Sequence, residues 1–367
     1  MGKYPRTEEQ IIEKIKKKYA KKMKKRRNLL NKMADVSHSF DRGSYSIKRD
    51  PEEGYTPDSV KKGEKEKTED KEYEDFKKEI EYSTRLNKIE DSTELEIKGN
   101  DDVKRKILDN KLEKTLLSNS DEISKIKSKG SLNGFYFANK NETYEKMWDE
   151  SGREDIKKLG IFVQIEGKKK ITTPTYDANT GMIAIPDKKD KHLHNKVGHE
   201  LGHATIKSWG VPTEDDAPDE RRGRIAEQYE EVSADILMKE KFGDEKAGEA
   251  VKNQLTKQLK GAKNIAQNEV WDWNEEKNTY DFAYEKISAH RAKAEIFGLN
   301  DLKKEIDDQL FKQYKIDMNS KGDKRAETIN SLTKTFTSSQ GLNKKKYTQN
   351  LNEAMKIGMK AYGEGPG

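Results

Sequence analysis

Apolar residues are sparse at the start of the chain and concentrate in its middle. Ile12, Ile15, Tyr19, Met23, Leu30 and Met33 recur at spacings of three, four and seven, which predicts one amphipathic helix within residues 1–34. From residue 35 to 75 the periodicity vanishes into Ser, Gly, Pro and mixed charge, the pattern of a disordered linker. Residues 76–130 return to charged helical patterning, with Ile80, Leu86, Ile89, Ile107, Leu108, Leu112, Leu116, Leu117 and Ile123 as isolated apolar positions. After Gly130 the chain takes on globular character: Phe135, Tyr136, Phe137, Tyr144, Met147 and Trp148 cluster, and two strand-like runs follow at Ile161–Ile165 and Met182–Ile185. Turn formers from Tyr176 to Gly181 precede the second run and Pro186 ends it, so Met182, Ile183, Ala184 and Ile185 read as a strand at a sheet edge.

Two capped helices come next. Asp190 is placed to cap a helix running to Trp209, with Gly210 and Pro212 as its stop and Leu193, Val197, Leu201 and Ala204 as its buried stripe. Asp219 is placed to cap a second helix, stopped by Gly243, with Ile225, Tyr229, Val232 and Ile236 as its stripe. An acidic loop, Glu214 to Glu220, lies between them and would draw basic substrates if it faced a site; it reads equally as solvated surface. Beyond Gly243 the pattern is helical, with an aromatic patch at Trp271 and Trp273 that suits core packing better than a groove, and buried faces marked by Ile287, Ile296, Leu302, Ile306, Leu310 and Tyr314. The expected fold is α+β and predominantly helical: residues 1–34 a basic helix, 35–75 a linker, 76–130 helical, 131–245 the domain with a small sheet, and 246–367 a helical C-terminal region.

Composition sharpens this outline. The 367 residues carry 74 Lys+Arg against 68 Asp+Glu, and only 31% are hydrophobic, too few to fill a core throughout. The net charge of +6 is concentrated: residues 11–32 hold eleven Lys/Arg and one acid, for +10, leaving −4 elsewhere. Such a helix suits an anionic partner, whether nucleic acid or an acidic surface, and suits equally well a solvated face on its own protein. No stretch approaches the about 18–20 apolar residues of a membrane span, and the start has no Sec-type signal, so a cytoplasmic, delivered or virion-associated protein is expected. With no cysteine, thiol chemistry and cysteine-based metal sites are excluded, and any metal is expected to fall to imidazoles and carboxylates.

The first predicted helix carries His199-Glu200-Leu201-Gly202-His203, an H-E-x-x-H string. Four residues advance a helix by about 400°, so both imidazoles project from one face where they can share an ion, with Glu200 beside them for a bound water. Gly198 and Gly202 each cost about 1 kcal/mol of helix stability relative to alanine, which points to the close approach of another backbone. His192 and His194 read as solvated or second-site histidines. A third protein ligand is required. On the second helix Glu227, Glu231 and Asp235 fall one turn apart on the flank of the stripe, and Glu230 points further away.

The pair of motifs resembles the zincin metallopeptidases of gluzincin type, in which an HExxH helix is followed by a helix bearing E-x-x-x-D, here Glu231-Val232-Ser233-Ala234-Asp235. The resemblance spans residues 132–243 and implies one Zn2+ per chain, held by His199, His203 and Glu231, with Glu200 as general base and Asp235 orienting a ligand imidazole. Glu227 or Glu230 could stand in for Glu231. It implies a zinc-dependent endopeptidase acting on a protein or peptide that lies along Met182–Ile185 as an added strand, and in setting it is loosely similar to toxin- or phage-associated members. For an oxyanion donor, His290, Tyr280 and Tyr284 are candidates by type alone, and packing or surface roles suit each of them. Two other functions are compatible with the sequence: an interaction or virion protein that keeps such a module, and a nucleic-acid-binding protein working through residues 11–32.

Overall fold

The computed structural model describes residues 78–363, except 109, 159, 213–215, 260–270, 275–278 and 339–340. The basic helix and the linker expected before residue 76, and residues 214 and 215 of the acidic loop, lie outside the described residues. The chain divides into two units between Asp91 and Ser92. In the first, the described residues belong to helix α1 (78–93). The second unit, from Ser92 onward, holds the other described residues.

That unit is mostly helical with one small mixed sheet, an α+β arrangement. Its strands are β1 (Glu96–Gly99), β2 (Gly134–Ala138), β3 (Thr175–Asp177) and β4 (Met182–Pro186), in the order β1-β2-β4-β3. The first three in that order are parallel and β3 is antiparallel to β4. Both central strands are buried from end to end, which is why Phe135–Phe137 and Met182–Ile185 read as continuous rather than alternating apolar runs. Tyr136, Met182 and Ala184 pack with Met147, Trp148, Ile156 and Ile171 on one face; by the strand alternation Phe135, Ile183 and Ile185 turn to the other. Helices α2 (Asp101–Ile107), α3 (Asn110–Ser118) and α4 (Ser120–Ser128) connect β1 to β2, and α5 (Tyr144–Glu150) and α6 (Gly160–Gly167) lie between β2 and β3.

Three expectations are corrected here. Met182–Ile185 is a strand but not the edge: it pairs with Phe135 on one side and with Tyr176 on the other, and β3 is the edge. The turn cluster Asp177–Gly181 is the hairpin between them, and three residues of β3 were too short to show a pattern of their own. Ile161–Ile165 is helical, within α6; a five-residue apolar run cannot by itself separate a strand from a helix. The sheet also begins upstream of residue 131, because β1, whose polar Glu96 and Lys98 mask it, pairs with β2.

Helix α7 (Leu193–Ser208) packs against β3 and β4, and α8 (Glu220–Leu237), continued by a π-helical turn at Met238–Phe242, packs against α7. Helices α9 (Ala247–Gln258), α10 (Tyr284–Ile296), α11 (Asn300–Tyr314), α12 (Lys324–Thr337) and α13 (Lys344–Ala361) complete the unit, with β5 (Trp271–Asn274) and β6 (Thr279–Phe282) as a separate hairpin. Leu255, Ile287, Leu302, Ile306, Leu310 and Ile329 share a second core in this region. The side chains of Trp271, Trp273 and Tyr280 lie outside the described residues. Among those described, no helix is long and apolar enough to cross a membrane.

Candidate metal centre

Local sequence fixes the two helices that matter. Asp190 Oδ1 accepts from His192 N at 2.9 Å, so the capping aspartate sits in the turn just ahead of α7, two residues before the cap position at His192. Asp219 caps α8 as the sequence predicts, accepting from Arg222 N at 2.9 Å. Val197, Leu201 and Ala204 are wholly buried on α7, as are Ile225, Tyr229 and Val232 on α8. The helices meet where their side chains are smallest. A Cβ on Gly202 would stand 2.7 Å from Ala234 O, and one on Gly198 3.0 Å from Phe242 O, so both glycines mark the close approach that their cost implied.

At this crossing the imidazoles of His199 and His203 bring their Nε2 atoms to 3.1 Å of one another. Glu231 closes the triangle, with Oε1 3.3 Å from His203 Nε2 and Oε2 3.5 Å from His199 Nε2. His199, His203 and Glu231 are, among the described residues, the group arranged to hold a metal ion. Each ring is held from behind. His199 Nδ1 lies 2.7 Å from Asp235 Oδ1, and His203 Nδ1 lies 2.9 Å from Glu230 Oε1. Glu230 therefore does not point away: it orients the second ring as Asp235 orients the first, and Glu227 is not among the residues lining the cavity at this site.

The donor set suits zinc. Carboxylates at both Nδ1 atoms favour ring protons there and turn the two Nε2 atoms towards each other at 3.1 Å, where they can share a proton or a metal ion. Tetrahedral donors about 2.05 Å from Zn2+ stand about 3.3 Å apart; the two Nε2 atoms are 3.1 Å apart and Glu231 Oε1 is 3.3 Å from that of His203, while the other carboxylate oxygen, Oε2, is 3.5 Å from that of His199. The electrostatics agree. Burial disfavours a charged ring, yet Asp235 and Glu231 outweigh it and raise His199 to about 9, while Glu230 and Glu231 raise His203 well above its ordinary value. Burial opposes the Glu231 charge too, but Lys293 and the two rings hold it well below the usual carboxylate range. The surrounding carboxylates favour positive charge at the two rings.

Glu200, on the same face, accepts a 2.7 Å hydrogen bond at Oε2 from the backbone N–H of Tyr176 in edge strand β3. Burial lifts its carboxyl above the usual range, against the pull of the two imidazoles. A cavity of about 840 Å3 opens over these groups, walled by β3 residues Thr175 and Tyr176, by α7 and α8, and by Val251, Asn253 and Gln254 of α9.

Other candidates fall elsewhere. His290 is buried in α10 and, like Tyr284, does not line the cavity, so neither reaches a reacting atom. His192 and His194 are buried, not solvated. His194 Nε2 sits 2.8 Å from Asp244 Oδ2, and Asn195 exchanges hydrogen bonds with the same aspartate, tying the first turn of α7 to the loop behind α8. Three contributions escaped the sequence: the role of Glu230 at His203, where the sequence offers it only as a substitute for Glu231, the Tyr176 N–H, and Lys293 of α10, whose Nζ stands 2.9 Å from Asp235 Oδ2 and 3.4 Å from Glu231 Oε2. Adjacency to Glu231 was the available signal for the first. Lys293 sits in the run Ala289–Ala294, where a buried charge must have a partner. Comparison with protein-family models, with curated proteins and with solved structures finds no match to this chain.

Proposed function

We propose that the chain is a zinc-dependent metallopeptidase that hydrolyses peptide bonds of a protein or peptide substrate. The observation that carries this reading is the convergence of His199 Nε2, His203 Nε2 and the Glu231 carboxylate beside the half-buried Glu200 in one open cavity. A non-catalytic metal site has no use for Glu200. His199, His203 and Glu231 would hold the ion. Zinc supplies a Lewis acid and lowers the pKa of water to about 7.

The chain's own groups supply the rest. Asp235 and Glu230 keep both rings in the tautomer that offers Nε2. Glu200, with its raised affinity for protons, takes one from the attacking water and delivers it to the leaving amine. The Tyr176 N–H holds its carboxylate at the floor of the cavity. Strand β3, antiparallel to β4 with its other side unpaired in the sheet, offers main-chain groups on which an extended peptide can add as a further strand.

Two measurements test the proposal together. Purified full-length protein dialysed against a weak chelator should retain about one zinc per chain, and His203→Ala should lose it. Glu200→Gln should keep the zinc and abolish cleavage of a quenched fluorescent peptide library. A zinc-free wild type that folds normally, or a Glu200→Gln variant that cleaves as well as wild type, refutes the reading.

A further inference from the structure

Glu200, Glu230, Glu231 and Asp235 place four carboxylates around two imidazoles, and among the described residues one ammonium group is paired with that cluster besides the imidazoles. It is Lys293, only 6% exposed and carried by α10, which packs on α8. Asp235 is 1% exposed and Glu231 34%, and a carboxylate as buried as Asp235 is costly without a counter-charge. Lysine is a compact point charge, and its ammonium can satisfy more than one carboxylate at once. Here it stands 2.9 Å from Asp235 Oδ2, the oxygen not used by His199, and 3.4 Å from Glu231 Oε2.

We propose that Lys293 is a positioning residue of the metal site: it draws Glu231 Oε2 to itself, so that Glu231 meets the ion through Oε1, and it neutralises the acidic cluster before the ion arrives. The inference rests on the metal-binding reading of His199, His203 and Glu231. Its first consequence concerns coordination. With Oε2 engaged by an ammonium, Glu231 is a one-oxygen ligand and a fourth position stays open for water; without Lys293 both oxygens, at 3.3 and 3.5 Å from the two ring nitrogens, are free to close on the ion. The second concerns stability. The cation matters most while the ion is absent, since a bound divalent ion takes over the neutralisation of Glu231. Lys293 then keeps Glu231 and Asp235 in place for the ion to meet a formed site.

The test is cobalt(II) loading and melting of full-length wild type, Lys293→Met and Lys293→Arg. In wild type, cobalt should give the intense visible bands of a four-coordinate ion. Lys293→Met should bind cobalt with bands several-fold weaker, as Glu231 becomes bidentate and coordination rises to five, and Lys293→Arg should restore most of the intensity. The melting temperature of the chelator-treated protein should fall further in Lys293→Met than that of the zinc-loaded protein. Should Lys293→Met fail to fold, Lys293→Gln, which removes the charge but keeps a donor, carries the same readouts. Unchanged cobalt bands with equal loss of stability in both forms would make Lys293 an ordinary buried ion-pair partner and overturn the proposal alone. A wild type that binds no cobalt or zinc overturns it together with the metal-binding reading.

Discussion

Gly202→Ala tests whether the site depends on the spacing of two helices. The added methyl would meet Ala234 at 2.7 Å from its O, 2.8 Å from its Cα and 3.1 Å from its Cβ, all atoms of the facing helix and most of them backbone. Ordinary van der Waals contact begins near 3.4 Å, so α8 must retreat by about 0.7 Å at this point. Two energies compete. Replacing a helical glycine by alanine gains about 1 kcal/mol of propensity, and overpacking a tight contact costs about 1–3 kcal/mol. The expected net is a loss of about 1 kcal/mol, or about 2–4 °C in Tm. The larger effect falls on the metal. Ala234 lies between Glu231 and Asp235, which move with it, and metal–ligand distances tolerate only about 0.2 Å. Zinc affinity should therefore drop by about 10–100-fold, out of proportion to the small loss of stability. Competition with a chromophoric chelator reads the affinity, and circular-dichroism melts with and without zinc read the stability. Gly198→Ala is the control, since its methyl meets Phe242 O at 3.0 Å and so asks for a smaller shift, away from Glu231. A Gly202→Ala variant that melts higher than wild type and binds zinc as tightly would refute the argument.

Glu231→Ala should cost more zinc affinity than Glu230→Ala, because the first removes a ligand and the second removes the acceptor that orients His203, worth about 10–100-fold; the same chelator competition ranks them, and the reverse order would exchange their roles. At Asp244, burial works against the charge, but hydrogen bonds from Asn195 and a contact with His194 bring its pKa down from 3.8 to about 2. Because the folded value is the lower one, this contribution is complete above about pH 4 and is lost as the pH falls towards 2. For a side chain 35% exposed, solvent screening leaves about 1 kcal/mol, so Asp244→Asn should flatten the acid limb of a stability–pH curve and leave neutral zinc binding unchanged. Trp148→Phe removes the buried 2.6 Å hydrogen bond from Trp148 Nε1 to Asp177 Oδ2 at the β3–β4 hairpin and should cost about 1–3 kcal/mol, read as a lower urea midpoint. An unchanged midpoint would show that water replaces the indole donor there.

What the sequence showed and what it hid divide along physical lines. Helix α7 was legible because one face had to be apolar and the other had to carry two histidines four apart, and α8 because Asp219 and Gly243 bracket a 3.6-residue stripe. Glycines inside α7 were legible as contacts because they are costly anywhere else. The edge strand was not, since three residues carry no period and its partner, buried on both faces, looked like a strand with solvent beside it. Strand β1 was hidden by Glu96 and Lys98, which pair with each other at 2.7 Å on its polar side. Lys293 could not be tied to this site by any local pattern, because its partners lie about sixty residues away and only folding brings α10 against α8.

Glu230 was misread for a reason that explains the centre as a whole. Adjacent residues on a helix point about 100° apart, so Glu230 and Glu231 cannot both address one ion. An imidazole, however, presents nitrogens on two sides, and a helix crossing beside it can reach both. Glu231 meets His203 at Nε2 while Glu230 meets the same ring at Nδ1. One turn further along α8, Asp235 takes the Nδ1 of His199, which lies one turn earlier on α7. The order is reversed: advancing along α8 from Glu230 to Asp235 means retreating along α7 from His203 to His199, as advancing from Ala234 to Phe242 means retreating from Gly202 to Gly198. The two helices therefore run antiparallel through the site. A doubled acid followed by an aspartate one turn on is then the natural complement of two histidines one turn apart, with Glu231 left at the centre to face both Nε2 atoms.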